Sequence, residues 1–144
     1  MIEAMMKPGR ALALALLVAG VQPLAAAEPI KGRWITEARD AVVEIAPCGG
    51  QKWCGRIVKF LVPPETGPDA RDVNNADPAR RGRRIMGLAI LTGFAPDGAI
   101  WRGQIYDPRR GRTFESTLDR KGAALNVQGC LGPFCQTQVW TRAK

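Results

Sequence analysis

Four cysteines, no histidine and a single tyrosine limit what this chain can do chemically. Without histidine the usual general base, the histidine-assisted nucleophile and the commonest metal ligand are all missing. The cysteines fall in two close pairs, Cys48 with Cys54 and Cys130 with Cys135, each across a segment rich in turn residues. Neither pair has the Cys-x-x-Cys spacing of a zinc site. Their spacing suits disulfides between the arms of two hairpins, and once oxidised they leave no thiolate nucleophile. Acid–base work then falls to carboxylates, lysines and Tyr106. Asp107 and Glu115 flank a predicted hairpin, and a carboxylate-dependent hydrolase would be built on that pair. Beside Arg109, Arg110 and Arg112 the two acids read more simply as surface ion pairs. The expectation is a non-enzymatic protein with no cofactor and no metal.

Binding chemistry is better supplied. The net charge is +8, and arginines cluster at Arg80, Arg81, Arg83 and Arg84 and again at Arg109, Arg110 and Arg112. Clustered guanidinium groups can hold carboxylate or phosphate oxygens two at a time. The same charge also serves as a solvated surface that keeps a protein soluble. Nine aromatic residues are spread along the chain, among them Trp34, Trp101, Trp140 and Tyr106, and such residues line apolar ligand cavities or fill small cores. Asp72, Asn75, Arg83, Trp101 and Tyr106 are the candidate ligand-binding residues. Asp72 to Asp77 superficially resembles a calcium loop, yet it has no glycine at the sixth position and carries Arg83 where a bidentate glutamate belongs. Asx-turn and capping roles suit Asp72, Asn75 and Asp77 better.

The elements that must position these residues are strands. Apolar–polar alternation recurs about every 8–12 residues between turn signals, the rhythm of a barrel or sandwich. Strands are expected near 31–37, 41–47, 54–62, 84–94, 99–107, 112–119, 123–130 and 134–142. In the third, Ile57 and Leu61 fall on one face, with Val58, Phe60 and Val62 on the other. In the last, Phe134, Gln136, Gln138, Trp140 and Arg142 share a face. A connection of about twenty residues, 63–83, interrupts the rhythm, and connections that long are usually functional or disordered. Within it Asp77, Pro78 and Gly82 predict a short helical turn with N-cap, first position and stop. The length of the chain over eight strands favours a filled or nearly filled interior.

The N-terminus reads as a secretory leader. Lys7 and Arg10 precede an apolar run from Ala11 to Val21, and Leu24-Ala25-Ala26-Ala27 offers an A-x-A cleavage site. The apolar run is short for a bilayer span, which needs about 20 residues. Cleavage after Ala27 would leave residues 28–144 as one periplasmic or secreted domain that does not span the membrane. In that compartment cysteines oxidise. Nucleic acid is then an improbable partner, and an anionic lipid, lipopolysaccharide or acidic wall polymer is a better match for the basic surface.

The order of several segments resembles one family. They are Gly32-x-Trp34, Asp40-Ala41-Val42-Val43, Cys48 with Cys54-Gly55-Arg56-Ile57-Val58, Asp72 with Asn75, Gly87-Leu88, Tyr106-Asp107-Pro108 with Gly111, Gly129-Cys130, and Trp140-Thr141-Arg142. Together they are similar to the DUF2147 family of exported bacterial proteins, over about residues 30–142. The resemblance implies a small, eight-stranded, antiparallel, lipocalin-like (calycin-type) β-barrel and no established activity. It also implies a barrel-closing role for Trp34, covered by Arg142 from the last strand. The leading expectation is a barrel that binds a small apolar, amphipathic or anionic ligand, or an envelope component, with the 63–83 connection as a lid. A protein–protein or envelope-structural module using the basic surface is the alternative.

Overall fold

In the computed structural model the structure describes residue 17 and residues 19–144. The basic start of the expected leader and most of its apolar run lie outside the described residues. Among the described residues no helix is long and apolar enough to cross a membrane.

Eight strands close into one antiparallel barrel: β1 (Gly32–Ile35), β2 (Ala41–Gly49), β3 (Lys52–Phe60), β4 (Ala89–Asp97), β5 (Ile100–Asp107), β6 (Arg112–Lys121), β7 (Ala124–Leu131) and β8 (Phe134–Arg142). Each strand pairs with the next, and β1 returns to β8 through Trp34 opposite Arg142 and Ile35 opposite Thr141. Closure removes the free edges that an open sheet would expose. Both expected disulfides form, Cys48–Cys54 across the β2–β3 hairpin and Cys130–Cys135 across the β7–β8 hairpin.

Period-two alternation sorts side chains by face. Trp101, Gly103 and Ile105 of β5 pair with Leu118, Ser116 and Phe114 of β6, and this series points inward. On β7, Leu125, Val127 and Gly129 continue it. The third strand departs from the simple alternation. Val43 pairs with Ile57 but Val42 pairs with Lys59, so a bulge at Val58 shifts the phase. Ile57 and Phe60, expected on opposite faces, therefore line the same cavity.

The fourth strand starts at Ala89, not near residue 84. Residues 83–85 are occupied elsewhere: Asp72 N–H donates to Arg83 O at 3.0 Å and Ile85 N–H donates to Ala70 O at 3.0 Å. This short ladder, with Arg71 bridged to Arg84, gives the long connection a structure of its own. The expected helical turn is a 3₁₀ turn, Pro78–Arg80, with Asp77 accepting from Ala79 N–H. Gly82 follows its C-cap, Arg81, in the expected place but without the positive φ of a left-handed glycine cap.

Candidate functional site

The barrel has a closed end and an open end. At the closed end Trp34 is fully buried, with the Arg142 guanidinium 4.8 Å and the Arg120 guanidinium 5.7 Å from its ring centroid. The segment before β1 lies across this end as a strap. Trp34 Nε1 donates to Ile30 O at 2.9 Å, Arg142 Nη1 to Lys31 O at 2.7 Å, and Trp101 Nε1 to Glu28 O at 2.8 Å. Trp101 also meets Trp53 edge-on, with centroids 5.9 Å apart. Below the strap, Ile45, Leu91, Phe94, Leu118 and Leu125 pack the lower barrel solid.

The upper half is hollow. A cup of ≈ 1570 Å³ opens between the β1–β2, β3–β4, β5–β6 and β7–β8 connections. Its wall includes Val43, Ile57, Ile90, Ile105, Phe114 and Val127. Ala70 and Ile85, from the ladder inside the long connection, complete that wall. The expectation of a filled interior is therefore corrected: bulky residues fill only the lower half, and the inner face of β8 above Trp140 carries Gln136 and Gln138, both exposed. Ser116 sits next to the cup, inward-facing between Gly103 and Gly129 in register. Its buried hydroxyl has no hydrogen-bond partner among the described residues. At the mouth, Val62, Val73, Leu131 and Phe134 are exposed apolar residues.

Four of the five candidate residues meet at the upper wall. Asp72 is 1% exposed, and its Oδ1 accepts from Tyr106 Oη at 2.6 Å. Its Oδ2 accepts from Asn75 Nδ2 at 2.8 Å and from Arg83 Nε at 2.8 Å. Asn75 Nδ2 also donates to Tyr106 Oη at 3.0 Å, and the Arg83 guanidinium stands 5.1 Å from the Tyr106 ring centroid. Burial pushes the Asp72 carboxyl up, but the hydrogen bonds from Tyr106, Asn75 and Arg83, with the Arg83 charge, hold it below the ordinary carboxylate range. Burial and the neighbouring Asp72 push the Tyr106 phenol up, against the opposing influence of Arg83. Burial lowers Arg83, but its bond to Asp72 and the Asp72 charge outweigh that and raise it.

With both of its oxygens engaged, Asp72 works as a latch that ties the long connection to β5. Gly111 allows the same docking from the β5–β6 turn. It stands at φ +65°, and a Cβ there would collide with the Asn74 carbonyl. Asn75 Oδ1 accepts from Asp77 N–H at 2.8 Å, the turn role expected of it. Trp101 does not join this cluster; it belongs to the closed end. Asp107 and Glu115 do not form a pair either. Asp107 lines the cup, while Glu115 faces outward opposite Gln104, whose Nε2 donates to it at 3.3 Å. The wall between them leaves no shared cleft for a glycosidase-type pair.

Sequence reasoning missed the cup's polar residues, Gln136 and Gln138. Their shared face with Trp140 was legible, but the emptiness in front of them was not.

A family model described as "Uncharacterized protein conserved in bacteria (DUF2147)" matches residues 32–142. The chain belongs to the DUF2147 family. No curated protein matches it. Among solved structures, this DUF2147 barrel is similar to HP1028 from the human pathogen Helicobacter pylori, a protein described as belonging to the lipocalin family. The TM-score is 0.68 at 17% identity, covering 81% of this chain and 84% of that one. That likeness establishes a lipocalin-like fold for this DUF2147 member.

Proposed function

We propose that this protein is an exported, non-enzymatic barrel that holds a small apolar or amphipathic ligand in its cup. One observation carries the reading: the lower barrel is packed solid while an apolar-walled cup of ≈ 1570 Å³ stays open above it. Small-molecule sites are concave, mostly apolar and fitted with a few polar groups that fix orientation. Here Gln136 and Gln138 supply those groups. The lipocalin-like fold supports binding of a small ligand in general terms.

Charge at the mouth narrows the ligand. Arg109 pairs with Asp40 at 2.7 Å and Arg110 with Asp107 at 3.6 Å, and Glu37 and Glu65 also line the rim. The rim arginines are thus matched by acids, which favours a neutral, hydrogen-bonding head on an apolar body over an anionic one. The exposed Val62, Val73, Leu131 and Phe134 give such a molecule an apolar way in. The leader pattern and two disulfides support delivery to the periplasm, with cleavage after Ala27.

Native mass spectrometry of protein purified from periplasm tests the reading. The expected result is a small apolar or amphipathic adduct that is lost when Val127→Trp fills the cup. As a second measurement, titration with a neutral monoacylglycerol should change tryptophan fluorescence through Trp140 in wild type and not in the filled variant. Bare protein that also ignores the monoacylglycerol would exclude the cup as a ligand site.

A further inference from the structure

We propose a second, separate site: an arginine-walled groove on the outside of the barrel that binds phosphate-bearing anions. A concavity of ≈ 810 Å³ lies between the long connection and the outer wall. Its walls carry Arg56, Arg80, Arg83, Arg84 and Arg112, and Asp77 is the one acid among the lining residues. The cup rim has the opposite character, with three arginines, Arg71, Arg109 and Arg110, facing four acids, Glu37, Asp40, Glu65 and Asp107.

Several of the wall arginines have local carboxylates, and their geometry still leaves an excess of positive charge. Arg80 lies 3.5 Å from Asp77 and Arg84 lies 2.8 Å from Asp69. Arg83 is held through Nε by Asp72 at 2.8 Å, which fixes its guanidinium in place. Arg56 donates from Nη1 to the Gly87 carbonyl, a neutral partner. Between the walls, the outer faces of β4, β5 and β6 contribute Thr92, Gln104 and Thr113. Thr92 pairs with Gln104, Thr113 pairs with Tyr106, and the Gln104 amide donates to Glu115, an acid just beyond the groove lining.

Guanidinium forks over a polar floor suit an anion with several oxygens on one centre, because each fork takes two parallel hydrogen bonds. A groove of this size has room for more than one such group. Phosphomonoesters match it better than single carboxylates: they carry up to two charges and three acceptor oxygens. The groove is independent of the cup. Tyr106 lines both, but its hydroxyl is engaged by Asp72.

Calorimetric titration of the full protein with pyrophosphate and with fructose 1,6-bisphosphate tests the site, and flotation with phosphatidylcholine vesicles containing phosphatidic acid distinguishes a lipid headgroup from a free phosphate source. The test variant is Arg56→Gln/Arg80→Gln/Arg112→Gln, which leaves the Arg83–Asp72 latch intact. The control is Arg33→Gln/Arg102→Gln plus Lys144→Gln, which removes equal charge elsewhere. The groove variant should weaken binding by about tenfold or more for a loss of several charge-assisted contacts, while the control stays within about twofold as expected for screened surface charge. Binding to the soluble phosphates alone, or to the vesicles as well, supports the groove and assigns its source. Equal loss in both variants, or no binding to any probe, overturns it. The cup proposal is scored separately by the monoacylglycerol titration.

Discussion

Trp34 at the closed end and Asp72 at the open end are both fully enclosed, yet they brace the molecule in different ways. Trp34 is clasped by strands at the two ends of the chain's own order, β1 and β8, with the preceding strap capping the result. Asp72 belongs to no strand and holds a loop in the place of missing wall. The closed end gains stability from apolar area and ring–guanidinium contact. The open end depends on a buried carboxylate and its donors, an arrangement whose members cannot be removed singly without leaving polar groups stranded. A barrel can thus be rigid where it is filled and held by a polar latch where it must leave room.

The largest effect is expected from Trp34→Ala. A buried tryptophan truncated to alanine costs about 3–5 kcal/mol, so the thermal midpoint should fall by roughly 10–20 °C on the usual entropy scale. Because closure fails, amides of β1 and β8 should lose hydrogen-exchange protection together. Protection that survives there would show that the strap is not the main brace.

Next comes Asp72→Ala, which strands Tyr106, Asn75 and Arg83 and should cost about 3 kcal/mol. Its signature is local: amides of residues 70–85 exchange faster while those around Trp34 stay protected. Uniform loss of protection would erase the distinction between the two ends.

The same latch should respond to pH. Because the Asp72 carboxyl is held below the ordinary range, its contribution is full above that range and is lost as pH falls below about 4 and through the lowered value. Protection of residues 70–85 should drop over that window in wild type and change much less with pH in Asp72→Asn. At the other extreme the raised Tyr106 phenol contributes below about pH 10, and that contribution is lost as pH rises through its higher folded value.

The smallest effect is expected from Arg142→Gln. It removes the ring contact and the bond to Lys31 O but leaves Arg120 above Trp34, so the loss should be about 1–2 kcal/mol, read as a small shift in the denaturant midpoint. A loss as large as that from Trp34→Ala would mean that Arg142 does more than cover the ring and tie down the strap.

Much of the frame was legible in the chain. Turn residues separated the alternating runs, the cysteine spacings matched two hairpins, and Gly32-x-Trp34 with Trp140-Thr141-Arg142 marked the strands that meet. Gly32 explains why that opening is so constrained: at φ +128°, any Cβ would run into the Arg142 guanidinium. Asp72, Asn75, Arg83 and Tyr106 were also legible, because polar residues in an overlong connection and a lone tyrosine stood out against a strand background. Trp101 was not separable from them by pattern, since an inward aromatic looks the same at either end of a barrel. The bulge at Val58 was hidden for a related reason, as one extra residue leaves both candidate faces apolar.

The sequence by itself determined the strands, apart from the start of the fourth, their antiparallel order and the disulfide pairs, because each follows from spacing along a few neighbouring residues. The closing role of Trp34 was legible only through the family resemblance. Only the tertiary structure decided that the barrel is half empty, that residues 70–72 and 83–85 supply part of its wall, and that the arginines divide between a balanced rim and a basic groove. Those outcomes depend on which side chains from distant strands share a volume, and on where β4 gives way to a loop. Local periodicity carries no record of either.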